Sequence, residues 1–166
     1  MNPVFNNCVR LRVGGFTIIE LLVVMAVLGV LAAAVMPLGE TLLVAQRERE
    51  LRLALREIRG AIDDYKRAVD QGSIIVASGE AGYPPNLKVL VDGTPDQRPQ
   101  GRGKPQYFLR QVPRDPFADP RLPAEQTWRL RSYASPASKP AAGSDVYDVH
   151  SSSDGLALDG TPYAKW

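Results

Sequence analysis

A long uncharged run near the N-terminus limits what this 166-residue chain can be. From Leu21 to Gly39 there is no charged residue, no histidine and no amide side chain, and the apolar stretch extends back to Phe16 with Glu20 as its single acid. About 20 apolar residues at a rise of roughly 1.5 Å cross a bilayer core of about 30 Å. Residues 16–39 are therefore predicted to form a membrane-spanning helix, which disfavours an ordinary soluble enzyme.

The charges around this run predict its orientation. Arg10 and Arg12 precede it and no acid does, so the positive-inside rule places residues beyond about 40 outside the cytoplasm, in the periplasm of a cell with two membranes. The net charge is +2, from 20 basic and 18 acidic residues, and becomes 18 − 18 = 0 without residues 1–15. Binding of nucleic acid through bulk charge is therefore not expected. The only cysteine, Cys8, also lies in residues 1–15, so a processed chain would have no disulfide.

The position of small residues distinguishes two ways in which this N-terminus could be processed. A secretory signal peptide has its small-residue cleavage site after the apolar core, and the alanines at 32–34 offer one. Here, however, the pair Gly14 and Gly15 comes before the apolar run and directly after the basic residues. That order favours cleavage at the near end of the run, which would leave the apolar segment on the mature protein.

The run Gly14-Gly15-Phe16-Thr17-Ile18-Ile19-Glu20-Leu21-Leu22-Val23-Val24 resembles the N-terminal signature of type IV pilins and type II secretion pseudopilins. The resemblance implies that a prepilin peptidase cuts after Gly15 and methylates the new N-terminus at Phe16. Glu20 would then be the fifth mature residue, which in this family pairs with the N-terminal amine of a neighbouring subunit. An ionisable group in a membrane segment costs several kcal/mol unless it is paired, so residue chemistry also predicts a functional partner for Glu20, which the resemblance implies is used in filament assembly. The alternative is that its side chain merely reaches the membrane interface.

A second helical pattern follows the apolar run. Apolar residues recur at alternating spacings of four and three, which predicts an amphipathic helix over residues 40–71 that stops near Gly72. Pro37 is predicted to kink the combined helix, with a simple boundary between its membrane and soluble parts as the alternative. The residues of this apolar stripe are Leu51, Leu55, Ile58, Ile62, Tyr65 and Val69.

The remainder, residues 72–166, is predicted to be a loop-rich periplasmic body, because twelve of the fourteen prolines lie at or after Pro84. Residues 84–87 are expected to open a short helical turn, and strands are predicted at 107–112, 127–133 and 146–151. Together these elements predict an α+β fold. A long N-terminal helix, membrane-spanning in its first half and amphipathic in its second, would pack on a small antiparallel sheet with long loops.

Two stretches of the body narrow the resemblance to the major, G-type pseudopilin. They are Gly82-Tyr83-Pro84 and Val112-Pro113-Arg114-Asp115-Pro116-Phe117. The resemblance implies a Ca²⁺ ion in the C-terminal loop, and Ser151, Asp154 and Asp159 are the predicted ligands. Hard oxygen donors next to turn-forming glycines suit this ion, although the spacing is not that of an EF-hand. A solvated acidic loop is the alternative.

The expected function is that of a structural subunit of a type II secretion pseudopilus, which polymerises from the inner membrane through packing of N-terminal helices. The resemblance implies further copies in a filament, minor pseudopilins, prepilin peptidase and an inner-membrane assembly platform as partners, with lipid around the helix before assembly. A type IV pilin for adhesion, motility or DNA uptake is the alternative, and a monomeric membrane-anchored periplasmic binding module is a rival of another class. No enzyme is expected, and the single histidine, His150, is predicted to be a strand or surface residue.

Overall fold

The computed structural model describes residues 15–166, without the side chains of residues 34–38. The chain divides into two compact units, which meet in sequence between Glu40 and Thr41. Helix α1 spans Ile18–Asp70 and is followed by the short helix α2, Lys88–Asp92, and the strands β1, Thr94–Pro95, and β2, Pro105–Gln106. A 3₁₀ helix at Ala124–Thr127, strands β3 (Trp128–Arg131) and β4 (Asp148–Ser151) and a 3₁₀ helix at Tyr163–Lys165 complete the order.

Helix α1 has recognisable start and stop signals. The Thr17 hydroxyl accepts a hydrogen bond from the backbone N–H of Glu20 at 3.2 Å, which satisfies one of the free donors at the helix start. At the other end Gly72 adopts a positive φ of 72°, as predicted from its position. Its N–H bonds the Val69 carbonyl and the next N–H reaches back to the Ala68 carbonyl at 2.8 Å, so a Schellman motif closes the helix.

The predicted apolar stripe of α1 is confirmed. Its first five members are buried and the sixth, Val69, is half-buried. These side chains pack in one cluster with Leu90 of α2, Trp128 of β3 and Val149 of β4. Burying a side chain of this kind contributes about 1.5–3 kcal/mol, so this cluster is the main source of stability in the unit that begins at Thr41.

The strands form two separate antiparallel ribbons. In the first, Thr94 pairs with Gln106 between β1 and β2. In the second, Trp128 pairs with Ser151 and Leu130 with Val149 between β3 and β4. The α+β fold with a long N-terminal helix and small antiparallel sheets is therefore confirmed.

The predicted strand over residues 107–112 is wrong. The chain has only the two-residue strand β2 just before it, and the N–H groups of Phe108 and Leu109 both bond the Leu90 carbonyl at 2.9 Å. Carbonyls in the last turn of a helix have no partner within the helix, and here one of them attracts two donors that a strand would have used. The short helix expected after residues 84–87 is confirmed as α2, where the Asn86 side chain accepts from the Val89 N–H at 3.0 Å.

Candidate functional site

The first part of α1 presents apolar side chains to its surroundings. Gly15 and Phe16 precede the helix and are exposed, whereas Gly14 lies outside the described residues. Exposed apolar surface of this extent needs lipid or another protein to cover it. The large apolar residues here are between 47 and 84% exposed: Phe16, Ile18, Ile19, Leu21, Leu22, Val23, Val24, Met25, Val27, Leu28, Val30 and Leu31.

Two predictions for this segment, the membrane-spanning helix over residues 16–39 and the kink at Pro37, concern residues that the structure describes only in part. No helix in the described part of the chain is long and apolar enough to cross a membrane. Pro37 lies within the bounds of α1, but its side chain is outside the described set, so the kink stays a prediction.

Glu20 lies exposed in the first turn of α1, where the helix dipole favours a negative charge. Within residues 15–166 its carboxylate makes no hydrogen bond or ion pair, so it is available to a partner outside the chain. Thr17, which caps the backbone N–H of Glu20, was not predicted from the sequence. The signal was present, since Thr-x-x-Glu is the spacing of a capping box.

The three predicted calcium ligands each have a different protein partner. The Ser151 hydroxyl is buried and donates to Asp115 Oδ2 at 2.6 Å. Asp154 accepts from Arg129 Nη2 at 2.7 Å, and its side chain is 85% exposed. Hydrogen bonds from the Thr161 side chain and backbone lower the pKa of Asp159.

These partners bear on the metal prediction. Among the described residues, no group of three or more His, Cys, Asp or Glu side chains is placed to hold a metal ion. A Ca²⁺ ion at the predicted ligands would have to share Ser151 with Asp115 and Asp154 with Arg129. The residues as arranged do not form a ready ligand set, and calcium binding stays a prediction.

Asp115 is a buried carboxylate that organises the start of the C-terminal loop. It is 2% exposed, and Oδ2 accepts from the Ser152 N–H as well as from Ser151, while Oδ1 accepts from the Phe117 N–H at 2.8 Å. A buried charge is tolerated when donors satisfy it, as they do here. In the sequence Asp115 is distinguished only as part of the stretch 112–117 that carries the resemblance, and no role for it is predicted from there.

A second group missed from the sequence fastens residues 156–166 to α1. Glu48 Oε1 accepts from the Leu158 N–H at 2.7 Å and from the Tyr163 hydroxyl at 3.2 Å. The Arg52 guanidinium lies 4.2 Å from the centroid of the Trp166 ring, and Arg59 Nη2 donates to the Trp166 carbonyl at 2.8 Å. We call Glu48, Arg52 and Arg59 the helix clamp.

The helix clamp contributes to a raised pKa at Tyr163. Burial raises the pKa of the Tyr163 phenol, and its hydrogen bond to the Glu48 carboxylate raises it further. No local sequence pattern predicts the helix clamp, because Glu48 lies 110 residues from one of its donors and 115 residues from the other. Only the fold brings them together.

His150 lies in β4, as predicted for a strand residue. Its Nδ1 is 3.3 Å from the Trp166 carbonyl oxygen and its Nε2 is 3.4 Å from Asp148 Oδ2. Successive side chains of a strand point to opposite faces, so His150 and Ser151 do not meet. The Ser151 hydroxyl instead donates to Asp115, which leaves it without an imidazole base.

Comparison with known proteins identifies the N-terminal segment. Residues 10–36 match the family model of the prokaryotic N-terminal methylation motif, and the match includes Gly14, Gly15, Phe16 and Glu20. No curated protein and no solved structure matches the chain. The chain therefore carries a prepilin-type N-terminal signal, of the kind found in pilins and pseudopilins.

Proposed function

We propose that this protein is a pseudopilin, a structural subunit that polymerises from the inner membrane to help export proteins by type II secretion. The observation that carries the proposal is the methylation motif at residues 10–36. This motif pairs a cleavable leader with an apolar helix that remains on the mature chain. The role is mechanical rather than catalytic, and the subtype that the body resembles most is the major, G-type subunit.

The described structure supports this role in two ways. The apolar residues of α1 up to Leu31 are exposed, so this segment needs a hydrophobic environment, which lipid supplies before assembly and neighbouring helices supply in a filament. The Glu20 carboxylate has no hydrogen bond or ion pair in the described chain and can receive the N-terminal amine of a neighbouring copy. Prepilin peptidase, an assembly platform and minor pseudopilins are the further partners of such a subunit.

In this proposal the mature protein is anchored in the inner membrane, and the unit from Thr41 to Trp166 lies in the periplasm. Arg10 and Arg12 on the cytoplasmic side set this orientation. A type IV pilin would share all of these features, and genes for filament retraction next to this one would favour it. A monomeric anchored binding module would not need the peptidase.

Intact mass spectrometry of the membrane-bound protein tests the proposal. We expect a chain that begins at Phe16 with one added N-methyl group when a prepilin peptidase is present. The matched control is the same chain in cells without that peptidase, where the full form from Met1 should persist. Cleavage near Ala34 in both strains would instead identify a secreted protein and contradict the proposal.

A further inference from the structure

The unit from Thr41 to Trp166 contains a groove lined by tyrosines and carboxylates, with a volume of about 600 Å³. Tyr65, Tyr83 and Tyr133 contribute aromatic rings, and Glu80 and Asp145 contribute acids. We call this the tyrosine groove. The described chain leaves parts of it uncovered, since Tyr133 is 59% exposed.

The tyrosine groove has the chemistry of a cation site. Tyr83 stacks on Tyr133 with ring centroids 5.4 Å apart, and ring faces attract positive charge. Glu80 uses one carboxylate oxygen to accept from the Ala77 N–H, and Asp145 uses one for the Tyr133 N–H. In the described part of the chain, the second oxygen of each acid forms no hydrogen bond.

Electrostatics in the groove agree with this chemistry. Burial raises the pKa of Tyr65, and the negative charge of Glu80 raises it further. One cation of the chain already makes a cation–π contact here, since Lys66 Nζ lies 5.9 Å from the centroid of the Tyr83 ring. Since Lys66 is ion-paired with Asp70, the two groove acids remain uncompensated.

The same chain offers a matching cation at the turn between β1 and β2. The turn reads Gly101-Arg102-Gly103-Lys104, and we call it the hairpin tip. Arg102 and Lys104 are exposed and form no ion pair among the described residues. Arg102 adopts a positive φ of 50°, a conformation that a non-glycine residue holds only when its surroundings require it.

The base of the hairpin is built to hold this tip in place. Asp96 is buried and accepts hydrogen bonds from Arg98 and from Gln106 Nε2 at 2.9 Å. Its backbone N–H also bonds the Lys104 carbonyl at 2.9 Å, across the turn. A side chain at position 101 would meet Asp96, because an added Cβ would lie 2.2 Å from its Cγ. The tip therefore presents its two cations from an ordered base.

We infer that the hairpin tip of one copy of this protein binds in the tyrosine groove of a second copy. The Arg102 guanidinium lies against the tyrosine rings in this complex and pairs with the free oxygens of Glu80 and Asp145. Each copy carries both surfaces, so the contact repeats from copy to copy, as a polymer requires. The inference rests on the proposed function, because it describes a contact within the assembled filament.

Disulfide crosslinking of the full chain in membranes tests this contact. In a Cys8→Ser background, Gln100→Cys places a thiol directly before the hairpin tip and Ala134→Cys places one on the groove wall. Mild oxidation should link copies into dimers and longer ladders. A matched control pairs Ala134→Cys with Glu125→Cys, an exposed site outside both surfaces. Absence of the 100–134 link, or equal linking in the control, overturns the inference.

A charge exchange tests the chemistry. Adding Arg102→Glu to the 100–134 pair should lower the crosslinked fraction roughly tenfold, which corresponds to about 1.4 kcal/mol. Adding Glu80→Arg to the same chain should restore part of it, because the new acid on the tip then meets a cation at one of the two groove positions. Arg110→Glu is the control, since Arg110 is also an exposed arginine without an ion pair among residues 15–166. Unchanged linking with Arg102→Glu, or failure of the exchange with an unaltered melting temperature, overturns the inference.

The outcomes also separate this contact from the proposed function. If copies assemble in wild-type membranes and the 100–134 link is absent, the contact is wrong and the pseudopilin role stands. If the wild-type chain stays monomeric after its leader is removed, both fail. Glu20→Gln, which should block assembly, should also remove the 100–134 link, and a link that persists in this variant would contradict a contact formed in the filament.

Discussion

Three carboxylates of α1 and the body have different roles because their surroundings differ. Glu20 is exposed and its carboxylate has no partner in the described chain, so its charge is available to another molecule. Glu48 and Asp115 are 5 and 2% exposed, and each accepts two hydrogen bonds from distant parts of the chain. A buried and satisfied acid stabilises its own fold, whereas an exposed acid in an apolar segment serves an interaction.

Exchange of Glu20 tests its role in assembly. We expect Glu20→Gln to insert in the membrane normally but to form few or no crosslinked oligomers, because the amide cannot neutralise a neighbour's N-terminal amine. Glu40→Gln is the control, as Glu40 is another exposed acid of α1. Ladders are measured by crosslinking in membranes, and wild-type ladders from Glu20→Gln would mean that the acid is only interfacial.

Calcium binding at the C-terminal loop is tested by thermal melting of the mature full-length chain in detergent. A ligand at 100 times its Kd stabilises the folded state by about 2.7 kcal/mol, so a bound ion should raise the melting temperature by several degrees over chelator. Asp154→Ala should abolish the shift. Asp63→Ala, at an exposed acid of α1, should keep it. With no shift at millimolar Ca²⁺, the loop is only a solvated acidic segment.

The helix clamp shows that α1 is more than a support for the apolar core. Its polar side chains Glu48, Arg52 and Arg59 hold residues 156–166 in place. Within that segment Tyr163 and Trp166 meet edge to face, and Tyr163 stacks on Phe117 with ring centroids 4.2 Å apart. The C-terminal segment therefore depends on α1 for its position. A change that breaks the helix clamp should therefore destabilise both α1 and residues 156–166.

Removal of Glu48 tests this dependence. Glu48→Ala leaves the Leu158 N–H without its acceptor, so we expect a loss of about 1–3 kcal/mol in the free energy of unfolding. Chemical denaturation measures the loss. Glu57→Ala, at an exposed acid of the same helix, should change it by less than about 0.5 kcal/mol. Equal stability of both variants would contradict a structural role for Glu48.

The β1–β2 hairpin should be sensitive to acid. Hydrogen bonds from Arg98 lower the pKa of Asp96 from 3.8 to about 2. Because the folded pKa is below the unfolded one, this stabilisation is complete above about pH 4 and is lost as the pH falls towards 2. Hydrogen exchange of the hairpin amides should accelerate over that range. Asp96→Asn should remove the pH dependence there, and an unchanged profile would rule out Asp96 as its source.

Sequence patterns predicted helix α1 correctly but predicted a strand at 107–112 that the structure does not contain. The spacing of Leu51 to Val69 predicted the buried face of α1, and Gly72 predicted its end, because both signals are local. The strand expected at 107–112 failed because the carbonyl of Leu90 took its donors. Whether a short strand forms depends on which acceptors lie near its N–H groups in the folded chain, and those acceptors are not visible in local spacing.

The two units of the whole molecule obtain their stability from different sources. The unit from Thr41 to Trp166 has its own apolar core around α1, α2 and the β3–β4 ribbon. None of the described residues before Thr41 belongs to that core, and their apolar side chains are exposed. A division of this kind suits a protein whose first segment is covered by its environment and whose second segment folds on itself.

The amino-acid sequence by itself determined the prepilin-type signal at residues 10–36, the acid at Glu20 and the buried face of α1. These features are encoded by neighbours along the chain, in residue order and helical period. Only the tertiary structure decided that Glu48 and Asp115 are internal anchors, that Ser151 and Asp154 have protein partners, and that three tyrosines and two acids line one groove. Their partners are tens of residues away, and burial and hydrogen bonding join them only after the chain has folded.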